Sequence, residues 1–204
     1  MHSRLAIWLK AALNIRRNTM SITDVVVDIE TLGTRPGDSI VQIAGVGFDR
    51  NAPSFLGQLI ISVSVPLAKS ENVGTASTLD WWFNQSNAAQ AVLLLGNSDF
   101  NEVSTSESSM LFEFMRQVKS TKIQKCCWWG NSHSFDLVLI EAALKKICYE
   151  DKPWDFRKER CFRTLKIEMP FVSLPENTTT KHIAVNDAMY EAECLFLLLK
   201  ALHG

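Results

Sequence analysis

Apolar and polar positions follow two rhythms along this 204-residue chain. From Ile22 the rhythm is that of strands. Val25, Val26 and Val27 form a β-branched run that reads as a strand buried on both faces, extending to about Glu30. The link Thr31 to Asp38 carries Gly33, Pro36 and Gly37, and a second apolar strand follows over Ile40 to Phe48. Asp49 to Pro53 turns, and Phe55 to Val65 reads as a third strand. Links this short allow only antiparallel pairing, so the three strands are expected to form a meander.

The spacing then becomes helical. Thr78 is expected to cap a short helix through Trp81, Trp82 and Phe83, and Ser86 a second one through Leu95. Asn97 to Ser109 is polar and reads as a surface loop, and Met110 to Val118 as an amphipathic crossover helix. Lys125 to Trp129 is a short apolar strand, and Phe135 to Cys148 a helix with Leu137, Ile140, Ala143, Leu144 and Ile147 at helical spacing. Beyond Pro153, Arg157 to Ile167 reads as helical, Met169 to Lys181 as a polar loop, and Ala184 to Leu202 as the closing helix. Three strands, helices, a strand and further helices make an α/β chain, a mixed sheet with helices packed on it.

Residues 1–20 stand apart. Leu5, Trp8, Leu9, Ala12 and Leu13 fall at helical spacing among Arg4, Lys10, Arg16 and Arg17. A basic amphipathic helix at a membrane surface, an extra helix packed on the domain, and an extension ahead of a natural start at Met20 all fit that pattern. The apolar run is too short to span a bilayer, and no stable membrane association is expected. The segment is taken as an accessory to a single domain over 21–204.

Composition narrows the picture in two ways. Hydrophobic residues make up 47% and charged residues 21%, ordinary values for a soluble globular domain, and the net charge of -1 excludes a global basic field. A nucleic-acid enzyme remains compatible, because acidic metal ligands cancel local basic residues in the sum. The five cysteines include no C-x-x-C pair and read as reduced thiols, hence a cytoplasmic protein. Cys126, Cys127 and His133 fit no common zinc spacing and are better read as strand cysteines beside a turn.

The chemistry begins at the end of the first strand. Asp28 and Glu30 are two apart, and the side-chain period of a strand is two, so both leave on one side. Two carboxylates there lose hydration and repel, and a divalent cation would compensate both losses; a strand end that meets solvent with two exposed acids is the other reading of the pair alone. Asp136 lies at the first turn of a helix just after the short strand. Asp187 opens the closing helix, with His182 five residues before it. Singly, an acid at a helix N-terminus is a favourable dipole partner and His182 a surface histidine.

As an ordered set these residues mean more. Val27-Asp28-Ile29-Glu30-Thr31, then Asn131-Ser132-His133-Ser134-Phe135-Asp136, then His182-Ile183-Ala184-Val185-Asn186-Asp187-Ala188 resemble the three motifs of the DEDDh branch of the DnaQ-like 3′→5′ exonucleases. Trp81-Trp82 with Gln85-Ser86, and Pro153-Trp154 followed by Arg160-Cys161-Phe162-Arg163-Thr164-Leu165, are similar to the phage and prophage DexA-type group and to a related mycobacterial exoribonuclease.

The resemblance implies a ribonuclease H-like fold, with a mixed five-stranded sheet that starts as an antiparallel meander and is flanked by helices. It implies two Mg²⁺ or Mn²⁺ ions held by Asp28, Glu30, Asp136 and Asp187, with His182 as general base. The expected reaction releases nucleoside 5′-monophosphates from the 3′ end of single-stranded DNA or RNA. Hard cations want oxygen ligands, and an imidazole titrating near 6.5 suits a base at neutral pH.

Substrate contacts are expected from Thr31 and Leu32, from Trp82 or Phe135 stacking on a base, and from Asn131, Ser134, Arg160 and Arg163. Core packing is the competing role for Trp82 and the expected one for Trp81. Relatives are commonly homodimers, though no patch in the sequence specifies one. A catalytically silent binding module with the same fold is the alternative, and loss of a motif carboxylate would be its mark. None of the five positions is lost.

Overall fold

The computed structural model describes residues 21–72, 74–97, 103–149 and 152–203. The basic N-terminal segment 1–20, and part of the expected surface loop after Asn97, lie outside the described residues. Five strands form one sheet: β1 (Asp24–Thr31), β2 (Ile40–Phe48), β3 (Leu59–Ser64), β4 (Cys127–Gly130) and β5 (Glu159–Cys161). Their spatial order is β3-β2-β1-β4-β5, with β1–β2 and β2–β3 antiparallel and β1–β4 and β4–β5 parallel. The meander and the mixed five-stranded sheet are as expected.

β1 is the central strand, and its period-two alternation divides the molecule into two cores. Val25, Val27 and Ile29 pack into one cluster with Ile43, Ile61, Phe114, Trp128 and Ile140. Helices α1 (Ala76–Phe83), α3 (Glu107–Thr121) and α4 (His133–Lys146) supply that side, with α2 (Asn87–Leu95) beside α1. Val26 belongs to the other cluster, with Ala44, Val46 and Phe48 from β2 and Ala184, Ala188, Ala192 and Leu195 from α6 (Ala184–His203). Asp28 and Glu30 share the parity of Val26, so the strand aims both carboxylates towards α6. The ladder shifts register between Glu30 and Thr31, and a bulge of this kind bends the strand as it leaves the site.

Several boundaries differ from expectation. α1 begins earlier, because the Thr75 hydroxyl, not that of Thr78, accepts an amide hydrogen bond at the N-cap, from Thr78 at 3.2 Å. β3 is shorter than Phe55 to Val65. Phe55 turns inward onto Phe48 and Phe196, with ring centroids 5.8 and 5.9 Å away.

The expected helix over Arg157 to Ile167 is divided. Arg157 and Lys158 end a 3-10 turn (Phe156–Lys158), only α5 (Phe162–Glu168) is α-helical, and between them Glu159–Cys161 forms the edge strand β5, paired with Trp128–Gly130. Its three residues carry no apolar alternation, so the parallel ladder rather than side-chain pattern makes them a strand. Among the described residues, no helix is long and apolar enough to cross a membrane. All five cysteines are free.

Candidate active site

The carboxyl end of β1, the start of α4 and the approach to α6 enclose a cleft of about 670 Å³. Asp28, Glu30, Asp136, His182 and Asp187 all line it, with Asn131, Ser134, Phe135 and Arg163. Each element brings its side chain for a local reason. β4 ends at Gly130, where a Cβ would stand 2.7 Å from Asp136 Oδ2, so the absent side chain lets Asp136 tuck against the strand end. Asp136 then accepts the Ser132 amide at 3.1 Å. Asp187 Oδ2 accepts the His182 amide at 2.7 Å and thereby folds the loop into α6. His182 itself has φ of 61°, a left-handed backbone that is uncommon for a residue with a side chain and typical of functional loops.

One donor atom each from Glu30, His182 and Asp187 lies within 4.8 Å of the other two. Asp28 Oδ2 is enclosed and receives no hydrogen bond. Burial pushes the Asp28 carboxyl well above the ordinary range, and Glu30, Asp136, Glu191 and Asp187 push it further. Glu30 is raised by burial, then by Asp187 and Asp136. Asp136 is raised to about 7 by burial, against the opposing amides of Ser132 and of its own helix turn and the charge of Arg163. Asp187 is raised by burial, with the His182 amide pulling the other way.

Among the described residues, none of these acids forms an ion pair with Lys or Arg. A set of crowded, partly or fully buried carboxylates, mutually repelling and held in no ion pair, fits divalent cations.

The expected substrate residues divide. Asn131, Ser134, Phe135 and Arg163 line the cleft. Thr31 lines an adjoining pocket of about 350 Å³ with Ile29, Glu30, Gly33, Thr34, Ser77, Thr78, Trp81 and Phe135. Leu32 is corrected: its side chain is fully buried in the core and cannot wedge against a nucleotide. Trp82 is also corrected. It is fully buried, and its indole N–H donates to the Thr31 carbonyl at 2.9 Å, which pins the end of β1 instead of stacking on a base. Trp81, expected in the core, is 44% exposed, lines the adjoining pocket and packs edge-to-face on His182 with centroids 4.7 Å apart. Leu79 and Trp82, three apart, mark the helix face that goes inward, and that spacing could have assigned the pair. Arg160 lines neither space, and its guanidinium donates to the carbonyls of Arg157 and Glu159, both at 2.7 Å.

Three contributors are absent from the motifs. Lys181 lines the cleft from the loop before His182. Gln42 lies opposite Glu30 in the β1–β2 ladder, and its Oε1 accepts the Ala184 amide at 3.2 Å, tethering the start of α6 to the sheet. Glu191 stands one turn beyond Asp187. Burial and the neighbouring Asp136 and Asp187 raise its carboxyl well above the usual range.

A mixed five-stranded sheet in this order, flanked by helices, is a ribonuclease H-like fold, and four acids and a histidine converge at the end of its central strand. Solved structures agree on the fold. An E. coli exonuclease I–single-stranded DNA complex with zinc bound superposes with a TM-score of 0.59 at 15% identity, over 90% of this chain and 41% of that one. A complex of the same E. coli enzyme with a dT13 oligonucleotide gives 0.58 at 15% identity, over 87% of this chain and 41% of that one. The chain thus spans less than half the length of these exonuclease I chains. In sequence, it is 23% identical to the exodeoxyribonuclease of Enterobacteria phage T4 over an alignment of 202 residues that covers 87% of each protein. The family profile of the 3′-5′ exoribonuclease Rv2179c-like domain matches residues 23–199, and the chain belongs to that family. Membership places it among the DEDDh-type 3′→5′ exonucleases, which are hydrolases.

Proposed function

We propose that residues 21–204 form a metal-dependent exonuclease domain that releases nucleoside 5′-monophosphates from the 3′ end of single-stranded nucleic acid. The observation that carries the reading is the convergence of Asp28, Glu30, Asp136, His182 and Asp187 in one cleft, with an enclosed Asp28 oxygen that has no protein partner. Asp28, Glu30, Asp136 and Asp187 would hold two divalent cations, Mg²⁺ or Mn²⁺, which activate water and offset the charge that develops on the phosphate.

The chain's own residues do the rest. His182, next to Asp187 and Glu30, accepts the proton of the attacking water at an imidazole nitrogen. In-line attack on phosphorus breaks the bond to the O3′ of the preceding nucleotide. That oxygen becomes the new 3′-hydroxyl, and the terminal nucleotide leaves with its 5′-phosphate. Lys181 and Arg163 at the cleft favour the anionic backbone. Phe135 joins the cleft to the adjoining pocket, where Trp81 offers an exposed ring for the terminal base.

The family's description names RNA, the T4 relative's name points to DNA, and the exonuclease I complexes contain single-stranded DNA. Either sugar is therefore a proposed substrate. The free cysteines support a cytoplasmic location. A homodimer is part of the same reading.

The test is a gel time course on matched 5′-labelled and 3′-labelled single-stranded DNA and RNA oligomers, with Mn²⁺, Mg²⁺ or chelator. A descending ladder from the 5′ label, mononucleotide from the 3′ label and silence with chelator are expected, and the faster sugar names the substrate. Folded protein that cleaves neither polymer in the presence of metal would leave the silent binding module in its place.

A further inference from the structure

Glu191 is an acidic side chain with no hydrogen-bond or ion-pair partner among the described residues. It sits on α6 between Ala188, Ala192 and Leu195, on the helix face that packs into the core under β1 and β2, and is only 6% exposed. A carboxylate placed there loses its hydration, and such groups persist only where something compensates. Apart from uptake of a proton, which its raised carboxyl favours, the ordinary compensations are missing among the described residues. Glu191 lies two turns inside the helix, beyond reach of the N-terminal amides. No Lys or Arg pairs with it, and its Oε2 is enclosed without a hydrogen-bond donor. Lys166 and Arg163 act on it only from a distance.

What it does face is the acid cluster. It lies four positions after Asp187, so the two share one stripe of α6. Its electrostatic neighbours include Asp136, Asp187 and, across the interface on β1, Asp28. Asp28 is the other carboxylate with an enclosed, partnerless oxygen. Two such oxygens on elements packed against each other call for one positive charge between them.

We infer that Glu191 is a fifth carboxylate of the metal centre, ligating the cation that Asp28 holds either directly or through a water on that cation. The inference rests on the metal-dependent reading above, and it adds a ligand that the three sequence motifs do not contain. In a helix otherwise given to apolar packing, the acid would add its charge from the buried side of the site, since it is not among the residues that line the open cleft.

The test reads metal binding rather than turnover. The full chain, stripped with chelator, is titrated with Mn²⁺ by calorimetry as wild type, Asp28→Asn, Glu191→Gln and Glu191→Asp, and each is melted with and without the ion. Asp28→Asn is expected to weaken binding most. Glu191→Gln is expected to weaken Mn²⁺ binding at one site by roughly 10–100-fold and to melt higher than wild type when metal-free. Glu191→Asp, which keeps the charge on a shorter arm, is expected to bind between the two.

Wild type that binds no Mn²⁺ would sink both the metal-dependent reading and the inference. Wild-type binding that Asp28→Asn weakens and Glu191→Gln does not would overturn the inference and leave the reading standing. A Glu191→Gln chain that fails to fold without metal would also overturn it, because the side chain would then be required by the fold rather than by the metal.

Discussion

Asp24 and Asp28 lie on the same strand, point to the same side and each has an oxygen shut off from water, yet their surroundings are opposite. Asp24 is saturated. Arg50 donates to both of its oxygens, the Thr23 hydroxyl donates at 2.7 Å and the Trp129 indole N–H at 2.8 Å. Asp28, four residues on, has an enclosed oxygen with no donor and other carboxylates around it. The strand is the same polymer in the same pleat, so secondary structure cannot account for the difference. What differs is who arrives from the neighbouring elements: a cation and two donors at one end, further acids at the other. Asp24 completes the fold by itself. Asp28 leaves a charge that only something outside the protein can balance, and this marks that end of the sheet as functional.

The widest contrast comes from neutralising each acid in turn. Asp28→Asn is expected to lower cleavage by about three orders of magnitude or more, corresponding to the several kcal/mol of transition-state charge stabilisation a metal supplies. The chelated variant should melt above wild type. An Asp28→Asn enzyme with normal turnover would erase the distinction. His182→Ala should cost about a hundredfold in turnover with Mn²⁺ affinity retained, which separates proton transfer from metal holding within the orphaned end.

At the saturated end, Asp24→Asn should leave Mn²⁺ affinity unchanged while destabilising the protein. Breaking a buried pair costs about 3–5 kcal/mol, and the side chain of Arg50 is 26% exposed, so about 3 kcal/mol is expected in urea denaturation. The two ends also differ in pH response. A carboxyl raised on folding binds its proton more tightly in the native state, so its contribution declines as pH rises from the unfolded pKa to the folded one. For Asp136 that window runs from 3.8 to about 7. Metal-free wild type should therefore lose stability across it, at up to about 1.4 kcal/mol per pH unit for each proton involved. Mn²⁺ should restore the loss, and Asp28→Asn should flatten the slope. The smallest effect is expected from Trp81→Ala, which should raise KM about tenfold, as expected for one stacked base, with little change in stability because the ring is 44% exposed.

Legibility in the sequence followed the same contrast between local and assembled features. The meander could be read because its strands carry unbroken apolar runs and its links are too short for a crossover. Glu159–Cys161 could not, since three polar or small residues become a strand only through the ladder of β4. Asp28, Glu30, Asp136, His182 and Asp187 were recognisable from type, order and spacing. Glu191 was not, because an acid within a helix ordinarily marks the solvent side, and only the packing of α6 on β1 reverses its orientation. The Trp81–Trp82 exchange has a similar cause. Placing the cap at Thr78 instead of Thr75 leaves the inward face of a short helix undefined, and two adjacent indoles then look alike.

Gly130 illustrates a last point, about tolerance to change. It contributes no proton, charge or ligand, yet any side chain there would be built into the space of Asp136 Oδ2. Under selection for cleavage, replacements at this position should be purged as strictly as those of the acids themselves. A census of intolerant positions would therefore credit the reaction with one participant too many. Alanine at 130 would betray itself through a displaced Asp136 and weakened ion affinity, whereas the position holds nothing more than room.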